Sequence, residues 1–386
     1  MQTKIIAYNL KRLRANARLN QSELAEKASL SQSGYRKLEQ GKALPRIDTL
    51  RALAAALQVG VNELLADMKP LKQIRFRSLK RLRTREQIIV DVATWLADFS
   101  SLEDLTGDKV SPELSTLYDY VNNQSSINTI ELAAYCRQQF GLQEKDAVLD
   151  ICGLLEARGI KLRSLEIETD SFLGLSVGEK EQGGPAIIVN TWARLPVETW
   201  IFSAAHELGH LLMHLKAYDV EQTDEDKQQE IEADQFASHF LMPQAAFARE
   251  WNEAAGLGFV DRIFKVKKVF KVSWRTVLFR FAESFPIEQR QQIWMNFHIE
   301  YKRKYNKSIG KNAEPIGIGS EAYRINHCHN RANEPFKLDA FDFKEDRLPF
   351  LVRKGIENGD ISMSRGAEIL RLKQVDMRAL SASWVG

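Results

Sequence analysis

The segment from Phe202 to His214, FSAAHELGHLLMH, constrains this chain of 386 residues more than any other stretch. His206 and His210 are four residues apart in an apolar run, so on a helix their imidazoles lie one above the other. Two imidazoles in that arrangement can bind one metal ion at about 2.0–2.1 Å. Glu207 points about 100° further round the helix, where it can take a proton from water on that ion. The spacing predicts a zinc site with Glu207 as its base.

A catalytic zinc ion also needs a third protein ligand and an open position. A second helix, predicted to lie within residues 230–243, offers the candidates. Glu230 and Asp234 share one face of that helix, so we expect Glu230 to be the ligand and Asp234 to orient a ligand histidine. Glu232 lies off that face and is the alternative ligand.

The other histidines are weaker candidates. His214 lies about 6 Å beyond His210 along the helix axis, so we expect it to close the helix end rather than to bind the same ion. His239 stands among apolar residues and is expected to pack. Adjacent side chains rarely converge on one ion, so a strand or loop is expected at residues 327–329, His-Cys-His.

Residues 185–190, PAIIVN, precede the histidine helix and predict a short buried strand. A free strand edge beside a metal can hold a peptide substrate in extended form. We therefore expect a substrate groove along this strand.

These motifs resemble the ImmA/IrrE family of zinc metallopeptidases over about residues 130–250. The resemblance is carried by residues 170–176 (DSFLGLS), 186–190 (AIIVN), 205–210 (AHELGH) with His214, 230–237 (EIEADQFA) and 240–243 (FLMP). It implies a zincin-like fold and one Zn2+ per chain held by His206, His210 and Glu230, with Glu207 as catalytic base. Family members are bacterial or phage proteins that cleave DNA-binding repressors during stress or mobile-element induction, which implies a repressor as protein substrate.

The N-terminal region has the pattern of five amphipathic helices separated by short polar breaks. The predicted helices are Ile5–Ala17, Gln21–Ala28, Gln32–Glu39, Thr49–Leu57 and Val61–Ala66. Asp48 is the expected cap of the fourth helix, and Gly41 is expected to end the third. Two short helices joined by a tight turn predict a helix-turn-helix.

Residues 19–41 are similar to the XRE-like domain of phage repressors. The match implies that Gln21, Gln32, Ser33 and Arg36 face bases of double-stranded DNA, and that Lys37 contacts a phosphate. The alternative is a helical bundle that has lost DNA binding and keeps only protein contacts.

Charge indicates a nucleic-acid partner only locally. The chain has 54 basic and 51 acidic residues, which by itself predicts little. From Lys69 to Arg85, however, there are eight basic residues and no acidic one. This run could follow DNA phosphates or form a solvated linker helix.

The fold predicted from these features is mainly α with a small sheet. We expect an XRE-like domain at residues 1–67, a basic, helical linker at 68–129, an ImmA/IrrE-like peptidase domain at 130–285 and a mostly helical region at 286–386. Within the last, residues 349–380 predict a small helical hairpin that could bind a partner or simply pack. No internal repeat is evident in the sequence.

Composition sets the expected compartment. Three cysteines make a disulfide framework improbable and suit a reducing cytoplasm. No apolar run reaches membrane-spanning length, and no signal peptide precedes the first helix. We expect a cytoplasmic protein without a membrane partner, with a homodimer as one possible assembly.

Two classes of function remain open from sequence. The first is a DNA-binding zinc endopeptidase that cleaves a DNA-bound repressor in trans. The second is a non-hydrolytic transcription regulator or antitoxin-like protein whose peptidase fold senses a ligand or partner. Glu207 favours the first, because a sensor has no chemical need for a base beside the water.

Overall fold

A four-stranded sheet lies at the centre of the structure, a computed structural model that describes residues 2–17, 19–57, 59–65, 71–78, 85–124, 126–218, 226–310, 313–315 and 338–384. The strands are β1 (Ile74–Ser78), β2 (Lys161–Leu165), β3 (Phe172–Val177) and β4 (Ala186–Asn190). Their spatial order is β1-β3-β4-β2. β3 is antiparallel to β1 and β4, whereas β2 and β4 are parallel. The predicted fold class, mainly α with a small sheet, is confirmed.

Both faces of the sheet are covered, which explains the apolar sequence of β4. Ile187 and Val189 pack into one hydrophobic cluster, and Ala186 and Ile188 pack into another on the opposite face. Side chains alternate between the faces of a strand, so a strand buried on both sides is apolar throughout. The predicted buried strand is confirmed.

The expected free edge at β4 is wrong. β4 is bonded to β3 on one side and to β2 on the other, because the chain crosses over to place it between them. The edge strands of this sheet are β1 and β2. A peptide cannot add to β4 without breaking the sheet.

The basic run contains a strand, so its helical interpretation is wrong for residues 74–78. Ile74 is 1% exposed within the cluster on one face, while Arg75 follows it on the other face. Alternation with a period of two suits a strand, and β3 supplies the backbone partners. The parts of the run at 66–70 and 79–84 lie outside the described residues.

The N-terminal domain has the five predicted helices. They are α1 (Gln2–Asn16), α2 (Gln21–Lys27), α3 (Gln32–Glu39), α4 (Ile47–Leu57) and α5 (Val61–Leu65), and they enclose a core of their own. Asp48 was expected to cap the fourth helix, but this prediction is wrong: α4 begins at Ile47, and Asp48 lies in its first turn. Gly41 follows α3 with a φ of 67°, a left-handed conformation that glycine adopts without strain.

The middle of the chain supplies most of the helices around the sheet. They are α6 (Arg85–Thr106), α7 (Ser115–Asn122), α8 (Thr129–Gln139), α9 (Ile151–Ala157), α10 (Val197–Met213), α11 (Lys227–Leu241), α12 (Gln244–Glu253), α13 (Phe259–Phe270), α14 (Trp274–Ala282) and α15 (Ile287–Tyr305). Residues of α7 to α15 form the cluster on one face of the sheet. α6 packs on the other face.

Three C-terminal helices, α16 (Arg347–Glu357), α17 (Met363–Ile369) and α18 (Gln374–Ala382), pack in the same cluster as α6. Contacts therefore cross the expected boundaries of the regions at 68–129 and 286–386, and those boundaries stay a prediction. Among the described helices, none has both the length and the apolar character that crossing a membrane requires.

Candidate metal centre

Helix α10 carries the two histidines of the HELGH motif into the interior. His206 and His210 are each 0% exposed. α11 crosses close to α10, because Gly209 has no side chain. A β-carbon there would lie 3.0 Å from the Phe236 ring and 3.4 Å from Ala233 Cα. The close approach brings Glu230, in the first turn of α11, to the two imidazoles.

Three side chains converge with the spacing of a metal-ligand set. Nε2 of His206 and Nε2 of His210 are 2.8 Å apart. The Glu230 carboxylate lies 3.3 Å from the first nitrogen and 3.2 Å from the second. Ligands placed tetrahedrally around zinc are about 3.3 Å from one another. Within the described part of the chain, these three residues form a group that could hold a metal ion.

The far side of the His206 ring faces a carboxylate. Asp234 Oδ1 lies 2.7 Å from His206 Nδ1, where a neutral ring places its proton if the lone pair is on Nε2. Asp234 thus lies where the sequence placed it, and the bond orients the Nε2 lone pair of His206 toward His210 and Glu230.

His210 is oriented by a longer chain of hydrogen bonds that sequence reasoning missed. Its Nδ1 lies 2.8 Å from Nδ1 of His214, and Nε2 of His214 lies 2.9 Å from Glu232. A proton on His210 Nδ1 is donated to His214, whose own proton on Nε2 is then donated to Glu232. This order leaves the lone pair of His210 Nε2 pointing at Glu230.

The protonation states suit such ligands. Burial lowers the pKa of His210 well below its ordinary value and shifts the pKa of His214 in the same direction, so both rings are neutral at neutral pH. Burial alone would raise the pKa of Glu230, but the neighbouring side chains of His206 and His210 bring it below its ordinary value. The imidazoles of His206 and His210 with the carboxylate of Glu230 make a ligand set that fits a divalent cation such as zinc.

Glu207 follows the ligand candidate His206 on α10, is buried, and is bound by a side chain of β3. Ser176 Oγ donates to Glu207 Oε2 at 2.6 Å, and the Tyr218 hydroxyl lies 2.6 Å from the same Oγ. Burial raises the pKa of Tyr218 well above its ordinary value, so the phenol keeps its proton and donates it to Ser176. Gly174 leaves room for Glu207, since a β-carbon there would lie 3.3 Å from its Oε1.

Arg75, on the edge strand β1, reaches the same centre. Its guanidinium donates to Glu230 Oε1 at 3.0 Å and to Gln229 Oε1 at 2.7 Å. Arg75 pairs in the sheet with Ser176, so both side chains point to the side of α10. The alternating residues 74–77, IRFR, were the signal in the sequence that could have revealed this contact.

The weaker ligand candidates predicted from sequence do not join the metal-ligand group where the structure describes them. His239 contacts Glu283 at 3.2 Å rather than the metal-ligand group, and Glu232 bonds to His214 rather than joining that group. The His-Cys-His run at 327–329 lies outside the described residues.

The exposed face of α3 carries the predicted base-contacting residues. Gln32, Ser33, Arg36 and Lys37 are all exposed on this helix. Gln21, on α2, instead donates its amide to Glu39, which also accepts from Arg14. Its contact with a base stays a prediction.

Two families match the chain. Residues 155–282 match the peptidase family M78, described as the IrrE N-terminal-like domain, and residues 10–64 match the helix-turn-helix family. The chain joins a helix-turn-helix domain to an IrrE-like domain. No curated protein and no solved structure matches it.

The IrrE-like match covers the metal-ligand group, Glu207, Ser176 and Tyr218. β1 lies outside both matches, so Arg75 reaches the IrrE-like centre from a segment between the two domains. Helices α16 to α18 also lie outside them.

Proposed function

We propose that this protein is a DNA-binding zinc endopeptidase. The observation that carries the proposal is the convergence of two imidazole nitrogens and one carboxylate, from His206, His210 and Glu230, of which the two histidines lie on the helix that also carries the buried Glu207. His206, His210 and Glu230 would hold one zinc ion per chain. The match to the M78 family supports peptide-bond hydrolysis as the chemistry.

Each residue near the ion has a separate role. A zinc ion held there would polarise a peptide carbonyl and make a water molecule acidic enough to lose a proton near neutral pH. Glu207 would accept that proton and deliver it to the departing amine nitrogen. Ser176 and Tyr218 would hold the Glu207 carboxylate in place, and Asp234 and His214 would orient the ligand histidines.

The helix-turn-helix domain would bring the enzyme to duplex DNA. Gln32, Ser33 and Arg36 would contact bases and Lys37 a phosphate. The substrate would be a repressor bound to the same DNA and cleaved in trans, and the protein would act in the cytoplasm. Proximity on DNA would raise the local concentration of substrate at the peptidase centre.

One observation favours a second candidate, a regulator that does not hydrolyse. β1 occupies one edge of β3, the strand whose Ser176 binds Glu207, and Arg75 of β1 binds the expected ligand Glu230. An extended peptide can pair with β3 only if β1 moves. The peptidase fold would then sense a partner through β1.

Metal binding is tested on the full chain. We expect about one zinc per chain by elemental analysis, retained in Glu207→Gln and lost in His206→Ala/His210→Ala. The exposed Glu168→Gln serves as the matched control for the carboxylate change. Full zinc occupancy in the double alanine variant would remove the basis of the proposed site.

Hydrolysis is tested with a random peptide library and mass spectrometry, with and without duplex DNA. Cleavage by wild type and Glu168→Gln, but not by Glu207→Gln, supports the enzyme. Zinc binding without any cleavage supports the regulator. A fragment of the wild-type chain itself, ending within residues 67–86 and absent from Glu207→Gln, would instead establish self-cleavage.

A further inference from the structure

Helices α17 and α18 repeat the backbone geometry of the helix-turn-helix formed by α2 and α3. α2 and α17 each have seven residues, and four residues separate each from the next helix. The second residue of each connection has a left-handed backbone, with φ of 55° at Ser29 and 57° at Arg371. Neither residue is glycine, so the turn itself requires this conformation.

The hydrogen bonds of the two turns also coincide. Leu30 donates its backbone N–H to Ala25 at 2.8 Å, and Leu372 donates to Ala367 at 2.8 Å. One residue earlier, the donors Ser29 and Arg371 bond to Glu26 and Glu368, at 3.0 and 3.1 Å.

The helix starts agree as well. The side chain of Asn20 caps α2, and the side chain of Ser362 caps α17. Each accepts from the backbone N–H three residues later, at Glu23 and Arg365. The agreement therefore extends from the first cap to the second helix.

The sequences match weakly, which is why no repeat was evident from sequence. Residues 20–41 and 362–383 are identical at seven of 22 positions. The identical residues of the first segment are Ser22, Ala25, Glu26, Leu30, Gln32, Arg36 and Leu38. Gln32 and Arg36, both predicted to contact bases, therefore have counterparts in Gln374 and Arg378.

Burial follows the same pattern in both second helices. Tyr35 of α3 and its counterpart Met377 of α18 are each fully buried and anchor the helix to its core. Gln374 and Arg378 lie on the opposite, exposed side, as Gln32 and Arg36 do on α3. Packing thus accounts for one face of α18 and leaves the polar face in solvent.

We propose that α17 and α18 form a second DNA-binding helix-turn-helix, with α18 as its recognition helix. This goes beyond the proposed function, which places DNA binding in the N-terminal domain alone. In the major groove, glutamine reads an adenine edge with one donor and one acceptor, and arginine reads a guanine edge with two donors. The exposed face of α18 carries both.

The net charge of the C-terminal helices also favours duplex DNA as the partner of the exposed face of α18. Residues 347–384 contain seven basic and four acidic residues, a formal net charge of +3. Arg371 is held by Asp91, but within the described part of the chain Lys373 and Arg378 have no ion-pair partner. Both are exposed, so Lys373 can neutralise a phosphate while Arg378 remains available to a base edge.

The test uses the full-length protein and a pool of random-sequence duplexes at low salt. Four proteins are compared: wild type, Gln374→Ala/Arg378→Ala, Gln32→Ala/Arg36→Ala, and Arg353→Ala as control. Arg353, on α16, pairs with Glu357 and contacts Trp384, just beyond the end of α18. The control therefore removes a positive charge from the same region without changing a residue of α18 itself. Zinc content and thermal unfolding, measured in parallel, separate this proposal from the proposed peptidase function and from misfolding.

We expect each double variant to lose duplex affinity on the order of tenfold and to relax its sequence preference. The control should bind like wild type. Duplexes selected by wild type should contain two sequence elements, of which the α18 variant loses one. Wild-type affinity and selection in the α18 variant would overturn the proposal. A changed monomer–dimer equilibrium with unchanged DNA binding would also overturn it, since α18 would then contact a second copy of the chain.

Discussion

At the scale of single residues, the centre depends on hydrogen bonds that decide which nitrogen of each histidine is free. Asp234 fixes the proton of His206, and His214 with Glu232 fixes that of His210. A ligand histidine binds a metal through the nitrogen that carries no proton. Side chains outside the ligand set would therefore determine how well a metal ion is held.

His214→Phe removes the acceptor for His210 Nδ1 while keeping a ring of similar size. We expect zinc affinity to fall about 10- to 100-fold, measured by competition with a chelator. His214→Asn keeps an acceptor at a similar position and should retain most of the affinity. Equal loss in both variants would mean that His214 acts through packing alone.

At the scale of elements, β1 belongs to the sheet rather than to a loose linker. Ile74 is buried with Leu175 and Val177 in the cluster on one side of the sheet, and Glu181 accepts from the backbone N–H groups of Lys72 and Gln73. The strand thereby fixes Arg75 beside Glu230. β1, which lies between the two matched domains in the sequence, thus contributes a side chain to the candidate metal centre of the IrrE-like domain.

Ile74→Ala tests this integration. Loss of a buried isoleucine side chain typically costs about 2–5 kcal/mol, so we expect that decrease in the free energy of unfolding, measured by urea denaturation. Ile287→Ala is the matched control, since Ile287 is 76% exposed and exposed substitutions usually change stability by less than about 0.5 kcal/mol. Equal, small effects would show that β1 is not part of the cooperative core.

At the scale of the whole molecule, hydrogen bonds to a buried carboxyl group connect the C-terminal region to the IrrE-like domain. Glu156, at the end of α9, accepts from the backbone N–H groups of Asp346 and Arg347, at the start of α16. Burial raises its pKa to about 7, although those two hydrogen bonds oppose the shift. The Glu156 side chain therefore binds its proton more tightly in the folded protein than in the unfolded chain.

The raised pKa of Glu156 in the folded state determines the direction in which stability changes with pH. The stability from Glu156 is fully present below the unfolded pKa of 4.5 and is lost as pH rises through about 7. Glu156→Gln should remove this loss, leaving the variant more stable than wild type at pH 8 by at most about 3 kcal/mol, with little difference at pH 4. Denaturation at a series of pH values measures it, with exposed Glu168→Gln as control. A wild-type pH dependence retained in Glu156→Gln would contradict the assignment.

The sequence by itself determined the features that depend on local spacing. The helical period placed His206, Glu207 and His210 on adjoining faces of one helix and predicted the five N-terminal helices, because neighbours three and four residues apart meet on any helix. The same period placed Glu230 and Asp234 on one face of α11. These predictions needed no knowledge of which elements pack together.

Only the tertiary structure decided which distant segments meet. Arg75 and Glu230 are 155 residues apart, and no local period connects them. The position of β4 between β3 and β2 depends on chain crossovers, so the expected free edge was wrong. The likeness of α17–α18 to α2–α3 was hidden, because a backbone turn is fixed by a left-handed residue and a few hydrogen bonds that many sequences can form. Local periodicity depends only on residues that are close in the sequence. Strand order and long-range contacts depend on how the whole chain buries its apolar surface.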